Sequence, residues 1–381
     1  MAARFWVGGS GTWNASSTAN WSATSGGASG ASAPVAADTV TFDSASGTGT
    51  CTTASGATCA SATLNTTTLG LTLGASLTMS GLFTLTTGTL TLGTFTLTAG
   101  TFSSTNTNAR TIAFDTGNIT LTSGSTNMWN TDTSTNLTVT GTPVVNSTYS
   151  GSTGTRNFFV GNAAPPAEAN TISFNVSAGS DTVVMYGAGL RDINFTGFSG
   201  TWSATGGTKT LYGSLTLSTG MSLAASIGTL TFAATSGTKT ITTNNKTIDG
   251  VITFNGIGGT FQFADALTQG STRAFTITNG TVRLKDGTTN TVGSFTTGAG
   301  TTQRFLQSTV AGTRTTISDS SGTNTATYLT IQDVAATGGA AWQAFLSSGN
   351  VDGGNNTGWD FNLLQTGRYM YNVRKSKRIL P

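Results

Sequence analysis

Residues 84–102, TLTTGTLTLGTFTLTAGTF, carry no charge, and Thr or Gly fills most positions that are not Leu or Phe. Leu90-Thr91-Leu92 and Phe95-Thr96-Leu97 are apolar–Thr–apolar triplets. A side-chain period of two marks a half-buried strand. Between them Gly93 and Thr94 break the parity, so a strand running straight through would turn its apolar set toward water. The pattern therefore predicts a bend there. Leu71-Thr72-Leu73, Leu77-Thr78-Met79 and Phe83-Thr84-Leu85 precede it, so successive triplets start 6, 6, 7 and 5 residues apart. Short strands with a corner at each such step predict a β-solenoid whose coil has three short faces. The triplet recurs from Val40-Thr41-Phe42 to Leu329-Thr330-Ile331, and TGGTKT at 205–210 echoes TSGTKT at 235–240 at a distance of thirty residues. Tandem antiparallel β-sandwiches would carry the same alternation. Strands shorter than the usual length of about five or six residues favour the solenoid.

Composition sharpens this to a nearly all-β, Thr/Gly-rich chain. Gly makes up 51 of 381 residues, there is one Glu, and charged residues are 8% against roughly 25% in ordinary domains. Disorder is not expected, because 36% of residues are apolar and twenty are Phe, enough to build a core. No apolar run reaches the length of a membrane-spanning helix, so no membrane insertion is expected. The start, MAARFWVGGSG, lacks the apolar segment of a secretory signal, and the expectation is synthesis and assembly in a cytoplasm. Cys51 and Cys59 are then expected as free thiols, with a bridge formed after export or lysis as the alternative.

The charge is unevenly placed. Of seventeen basic residues, Arg368, Arg374, Lys375, Lys377 and Arg378 fall in the last fourteen positions; the other twelve face fourteen acidic residues, a net of −2. Tyr369, Met370, Tyr371, Val373, Ile379 and Leu380 interleave the basic run. This composition suits a docking tail better than a merely solubilising end. One short basic run with no basic surface behind it makes nucleic acid an unlikely partner.

Along the chain, residues 1–33 form a Trp/Gly-rich cap or attachment segment in which Trp6, Trp13 and Trp21 are candidate docking residues. Residues 34–142 form a first β region, and 143–170, with Pro143, Pro165 and Pro166, a loop or boundary. Residues 171–335 form a second β region, 336–366 a C-terminal cap with Trp342 and Trp359, and 367–381 the basic tail. Terminal caps are expected because an open solenoid end exposes unpaired strand edges.

Both ends carry familiar phrases. FWVGGSGTWNASSTANWS with DTVTFD at 38–43, and YLTIQDVAATGGAAW with VDGGNNTGWDF near the C-terminus, resemble stretches of β-helical structural proteins of bacteriophage particles. The opening is also similar to β-helical passenger regions of bacterial autotransporters. The likeness covers the first 43 residues and Tyr328 to Phe361. It implies a virion decoration, fibre or spike protein, attached to capsid or tail, without cofactor, trimeric, and working through other virion proteins or host surface glycans. A bacterial surface adhesin and a glycan-degrading tailspike are the alternatives.

Recognisable catalytic sets are few. The chain has no His, which removes Ser-His-Asp and Cys-His arrangements and the commonest metal ligand. Ser236 and Lys239 fit Ser-x-x-Lys, but in a Gly/Thr turn rather than at a helix start. DGGNNTGWD at 352–360 has calcium-type oxygens but only two carboxylates, so a capped turn is expected instead. Glycan cleavage needs only two carboxylates about 5–9.5 Å apart, for which Asp181, Asp192, Asp249, Asp265 and Asp286 are candidates. Thr94-x-Thr96-x-Thr98 resembles an ice-binding array, but the uneven step argues against a flat lattice. The overall expectation is a non-enzymatic protein without metal or cofactor.

Overall fold

The bend expected at Gly93–Thr94 is a turn between strands Leu82–Thr91 and Thr96–Ala99, with Gly93 at φ +61°. It is one corner of a β-solenoid of about 14 turns. The computed structural model describes residues 1–164, 166–203 and 207–362. Among them the only helical pieces are three single 3-10 turns, Ser44–Ser46, Glu168–Asn170 and Leu346–Ser348. Among the described residues every strand pairing is parallel except that of Trp21–Ser22 with Ala3–Trp6, which rules out tandem antiparallel sandwiches.

Register gives the coil length. Val40 lies beside Ala62, Ala62 beside Phe83, and Phe83 beside Phe102. Subtracting positions, these coils take 22, 21 and 19 residues, which matches three faces of six or seven. Phe102, Trp129, Phe158 and Met185 then follow one another, so the middle coils lengthen to 27, 29 and 27. The Pro-containing segment 143–170 lies here. It contains the strands Val144–Ser147 and Thr155–Ala164, and one core cluster runs unbroken from Trp6 to Trp359. Both strands pair with neighbouring coils, so the extra residues lie in the turns between strands. Glu168, near the end of this segment, accepts hydrogen bonds from Thr235 N (3.3 Å) and Thr235 Oγ1 (2.7 Å), tying its turn to a later coil. The thirty-residue echo is not a coil repeat. Lys209 sits beside Leu230 and Lys239 beside Phe261, so each copy belongs to a separate ladder with its own step.

Leu82–Thr91 turns a corner without leaving the sheet. Its first half pairs with Ser61–Asn65 and its second with Leu69–Leu73, with a register shift between Leu85 and Thr87. Gly88, at φ +98°, completes the corner; a Cβ there would stand 2.1 Å from Thr66 O, so no other residue fits.

Because the coils are in register, like side chains stack inside. Phe83, Phe102 and Trp129 are parallel at centroid distances of 5.7 and 4.4 Å. Phe232, Phe254, Phe275 and Phe295 form a second column at 5.4, 5.2 and 6.1 Å. Outward positions carry Thr and Asn ladders: Thr210, Thr231, Thr253, Thr276, Thr296 and Thr325 are register partners in turn. Asn175 donates to Asn146 (2.9 Å), which donates to Asn118 (3.3 Å).

Inward polar residues close the corners. Arg110 is 2% exposed, and its guanidinium donates to Ser104 Oγ (2.6 Å) and to the carbonyls of Ser104, Asn108, Thr133 and Thr135. Arg304, fully buried, donates to the carbonyls of Thr278, Thr327 and Ala299 at 2.6–2.9 Å. Neither meets a carboxylate among the described residues; corner carbonyls solvate both. Arg156 is different. It grips Asp181 in a bidentate pair at 2.8 and 2.6 Å, with both side chains fully buried.

Two outcomes test this packing. Phe102→Ala should lower unfolding free energy by about 3–5 kcal/mol, measured by denaturant titration, because a rigid column refills such a hole poorly. Asp181→Ala should cost a similar ~3–5 kcal/mol by stranding the Arg156 charge. An Arg156→Met/Asp181→Leu double variant should recover most of that loss.

Candidate docking and binding surfaces

The three N-terminal tryptophans lie inside the fold. Trp6, Trp13 and Trp21 are each 0% exposed and pack edge-to-face around Phe42, with Trp6–Trp21 at 5.0 Å and Trp13–Trp21 at 5.4 Å. They offer no ring surface to a partner. Their place is the plug of the first coil, where antiparallel Trp21–Ser22 covers the free edge of Ala3–Trp6. Trp342, Trp359 and Phe295 plug the other end, with Trp342–Trp359 at 5.0 Å. The candidate tail residues Arg368, Tyr369, Tyr371, Arg374, Lys375, Lys377 and Arg378 lie outside the described residues.

Each candidate carboxylate of the central coils has local partners. Asp181 holds Arg156, and Asp192 accepts from Ser173 Oγ (2.8 Å) and Ser214 N (2.7 Å). Asp249 pairs with Arg273 at 2.7 Å. Asp265 caps the turn at Thr243 and Asn244, and Asp286 bonds Lys285 and Thr309. These are cap and corner roles. In the 352–360 turn, Asp352 Oδ1 accepts from Gly354 N (3.0 Å) and Asn356 Nδ2 (2.7 Å), while Asn356 Oδ1 accepts from Val334 N (3.0 Å). Its oxygens thus close the turn and tie it to the preceding coil. No group of three His, Cys, Asp or Glu gathers among the described residues.

Cys51 and Cys59 are both buried and free. Burial pushes the Cys59 thiol up to about 12 and raises Cys51 well above the usual range, so neither is a reactive thiolate. For Asp38, burial acts upward, but hydrogen bonds from Ala2 N and Val35 N and the nearby Arg4 outweigh it, leaving the carboxyl below its usual value. The hydrogen bond from Arg273 lowers Asp249, and those from Lys285 and Thr309 lower Asp286.

A polar feature emerges only from the register. On an outer face, Gln262, Arg283, Gln307 and Gln332 are consecutive register partners, about 4.8 Å apart. Beside them Arg283, Gln307, Thr309, Gln332 and Asp333 help line a groove of about 310 Å³. A smaller recess of about 240 Å³ lies near Gly88 and Asn136, but its cation, Arg110, is consumed by carbonyls. Sequence reasoning missed the ladder because its steps of 21, 24 and 25 residues make no regular motif.

The apolar exterior is sparse. Fourteen of the twenty Phe are buried, and the large apolar residues exposed among the described ones are Met1, Val35, Leu82, Ile257, Val310, Leu346 and Val351. No helix among the described residues is long and apolar enough to cross a membrane. No protein-family model, curated protein or solved structure matches the chain. Its class, an all-β solenoid, therefore rests on the fold alone.

Stability against pH follows from these groups. Asp38, Asp249 and Asp286 have lowered folded values, so their contribution is complete above the unfolded value near 4 and is lost as pH falls below it. The thiols have raised folded values, so their contribution is lost as pH rises past about 9. A thermal midpoint flat between roughly pH 5 and 8, falling on both sides, is the expected profile. Dithiobis-nitrobenzoate should label neither Cys at pH 8 until the protein is denatured.

Proposed function

We propose that the protein is a non-enzymatic structural component of a bacteriophage particle, a decoration, fibre or spike unit attached to capsid or tail. It stabilises the particle or aids adsorption to the host surface. The observation that supports this is the single core from Trp6 to Trp359 with a tryptophan plug at each end. A self-stacking rod suits persistence and display, and Asp181, Asp192, Asp249, Asp265 and Asp286 each hold local partners. The resemblance of both ends to phage β-helical proteins points the same way. In this reading the protein assembles in the host cytoplasm, and the basic segment from Arg368 to Arg378 straps it to an acidic virion partner. A homotrimer is the assembly the resemblance implies; the sparse apolar exterior adds no independent argument for it.

Immunogold labelling of purified particles is the direct test. Label on capsid or tail is the expected outcome; label confined to the host envelope fraction would overturn it in favour of an adhesin. Deleting residues 368–381 should leave the melting transition unchanged and lower incorporation into particles. Rebinding of the full chain to stripped particles should weaken between 0.1 and 1 M salt, as the screening length falls from about 10 to about 3 Å. Sedimentation should give three times the 38.5 kDa chain mass.

A further inference from the structure

Two outer amide ladders are bonded side chain to side chain. The Asn118–Asn146–Asn175 ladder is bonded amide to amide, and Asn279 donates to Asn255 at 2.7 Å. The ladder of Gln262, Arg283, Gln307 and Gln332 differs from these amide ladders: none of its four side chains has a hydrogen-bond or ion-pair partner among the described residues. Arg283 is also alone among the described arginines in this respect. Arg4, Arg156 and Arg273 meet carboxylates, and Arg110, Arg191, Arg304 and Arg314 donate to carbonyls. Ser308, which also lines the groove and is 6% exposed, has a hydroxyl with no partner. Phe305, partly exposed, lies two residues before Gln307 on the same outward side of strand Arg304–Ser308.

We propose that this ladder and its groove bind an oligosaccharide bearing carboxylates, with Arg283 as the carboxylate ligand. The chemistry selects the ligand at each position. Arg283 stands between Gln262 and Gln307 in the register, and its planar guanidinium presents parallel N–H donors that match a carboxylate. The Gln amides each offer donors and an acceptor, as neighbouring sugar hydroxyls require. Phe305 supplies an apolar face for the C–H side of a sugar ring. The strip repeats at the inter-coil spacing of about 4.8 Å, close to the length of one sugar unit, so a linear glycan running along the axis meets a new side chain at each ring. A nucleic acid would need several phosphate-binding cations, and the strip has one.

This proposal rests on the adsorption role proposed above and gives it a site. Its test uses the full chain, titrated calorimetrically with polygalacturonate, alginate, hyaluronate and polysialate oligomers, and with a neutral glucan of equal length. The expected result is binding of at least one carboxylated oligomer, weakening with salt, and little binding of the glucan. Arg283→Gln should weaken that binding about tenfold, equivalent to ~1.4 kcal/mol, and Gln307→Ala severalfold, with melting transitions unchanged. No binding to any acidic oligomer, equal binding of the glucan, or undiminished binding by Arg283→Gln would each overturn the site. The adsorption role fails separately, if the protein is missing from purified particles.

Discussion

Everything in this fold depends on one coil lying in register on the next. Parallel pairing puts each inward residue directly beneath its counterpart, so a hydrophobic position one coil earlier dictates the environment of the position above it. The Phe83–Phe102–Trp129 column and the Phe232–Phe295 column are products of that rule. So are the Thr and Asn ladders outside. A slip of one residue would invert every side chain of a strand, and the corners exist to prevent it.

The corners use unlike devices for the same task. Gly88 lets the backbone pass within contact of Thr66 O. Asn350 accepts from Leu329 N and donates to the carbonyls of Ala326 and Phe345, replacing missing ladder bonds. Arg110 and Arg304 go further and gather several inward carbonyls around one guanidinium. A buried cation without a carboxylate is tolerable because those oxygens provide the solvation that water would. Arg156 shows the other solution, a buried pair, and stacks its charge near the Tyr149 and Phe198 rings at 5.3 and 5.6 Å.

Much of this was legible beforehand. The period of two, the corner at Gly93–Thr94 and the plugged ends all follow from local pattern, because alternation and turn residues act over a few positions. What was hidden depends on which residues stack. No local pattern in the Pro-containing stretch announces that Glu168 holds Thr235, sixty-seven positions away. Trp6, Trp13 and Trp21 leave cap and attachment both open in the sequence, because aromatic residues near an end suit either a plug or a grip. Arg110, Arg304 and Arg283 are alike in sequence, yet two face inward and one faces out, which the irregular coil lengths conceal. The unpaired Gln262–Gln332 strip is invisible for the same reason.

The two plugs also turn coil number into a measure of length. An unplugged solenoid could accept another copy on either open edge and grow without limit. Here antiparallel Trp21–Ser22 occupies one edge, and Trp342 with Trp359 fills the other end. About 14 turns at ~4.8 Å each make a rod of roughly 65–70 Å. Inserting or removing one coil would change that reach by a single 4.8 Å increment, leaving both plugs untouched, so the gene sets the rod's reach much as a ruler's graduations set its scale.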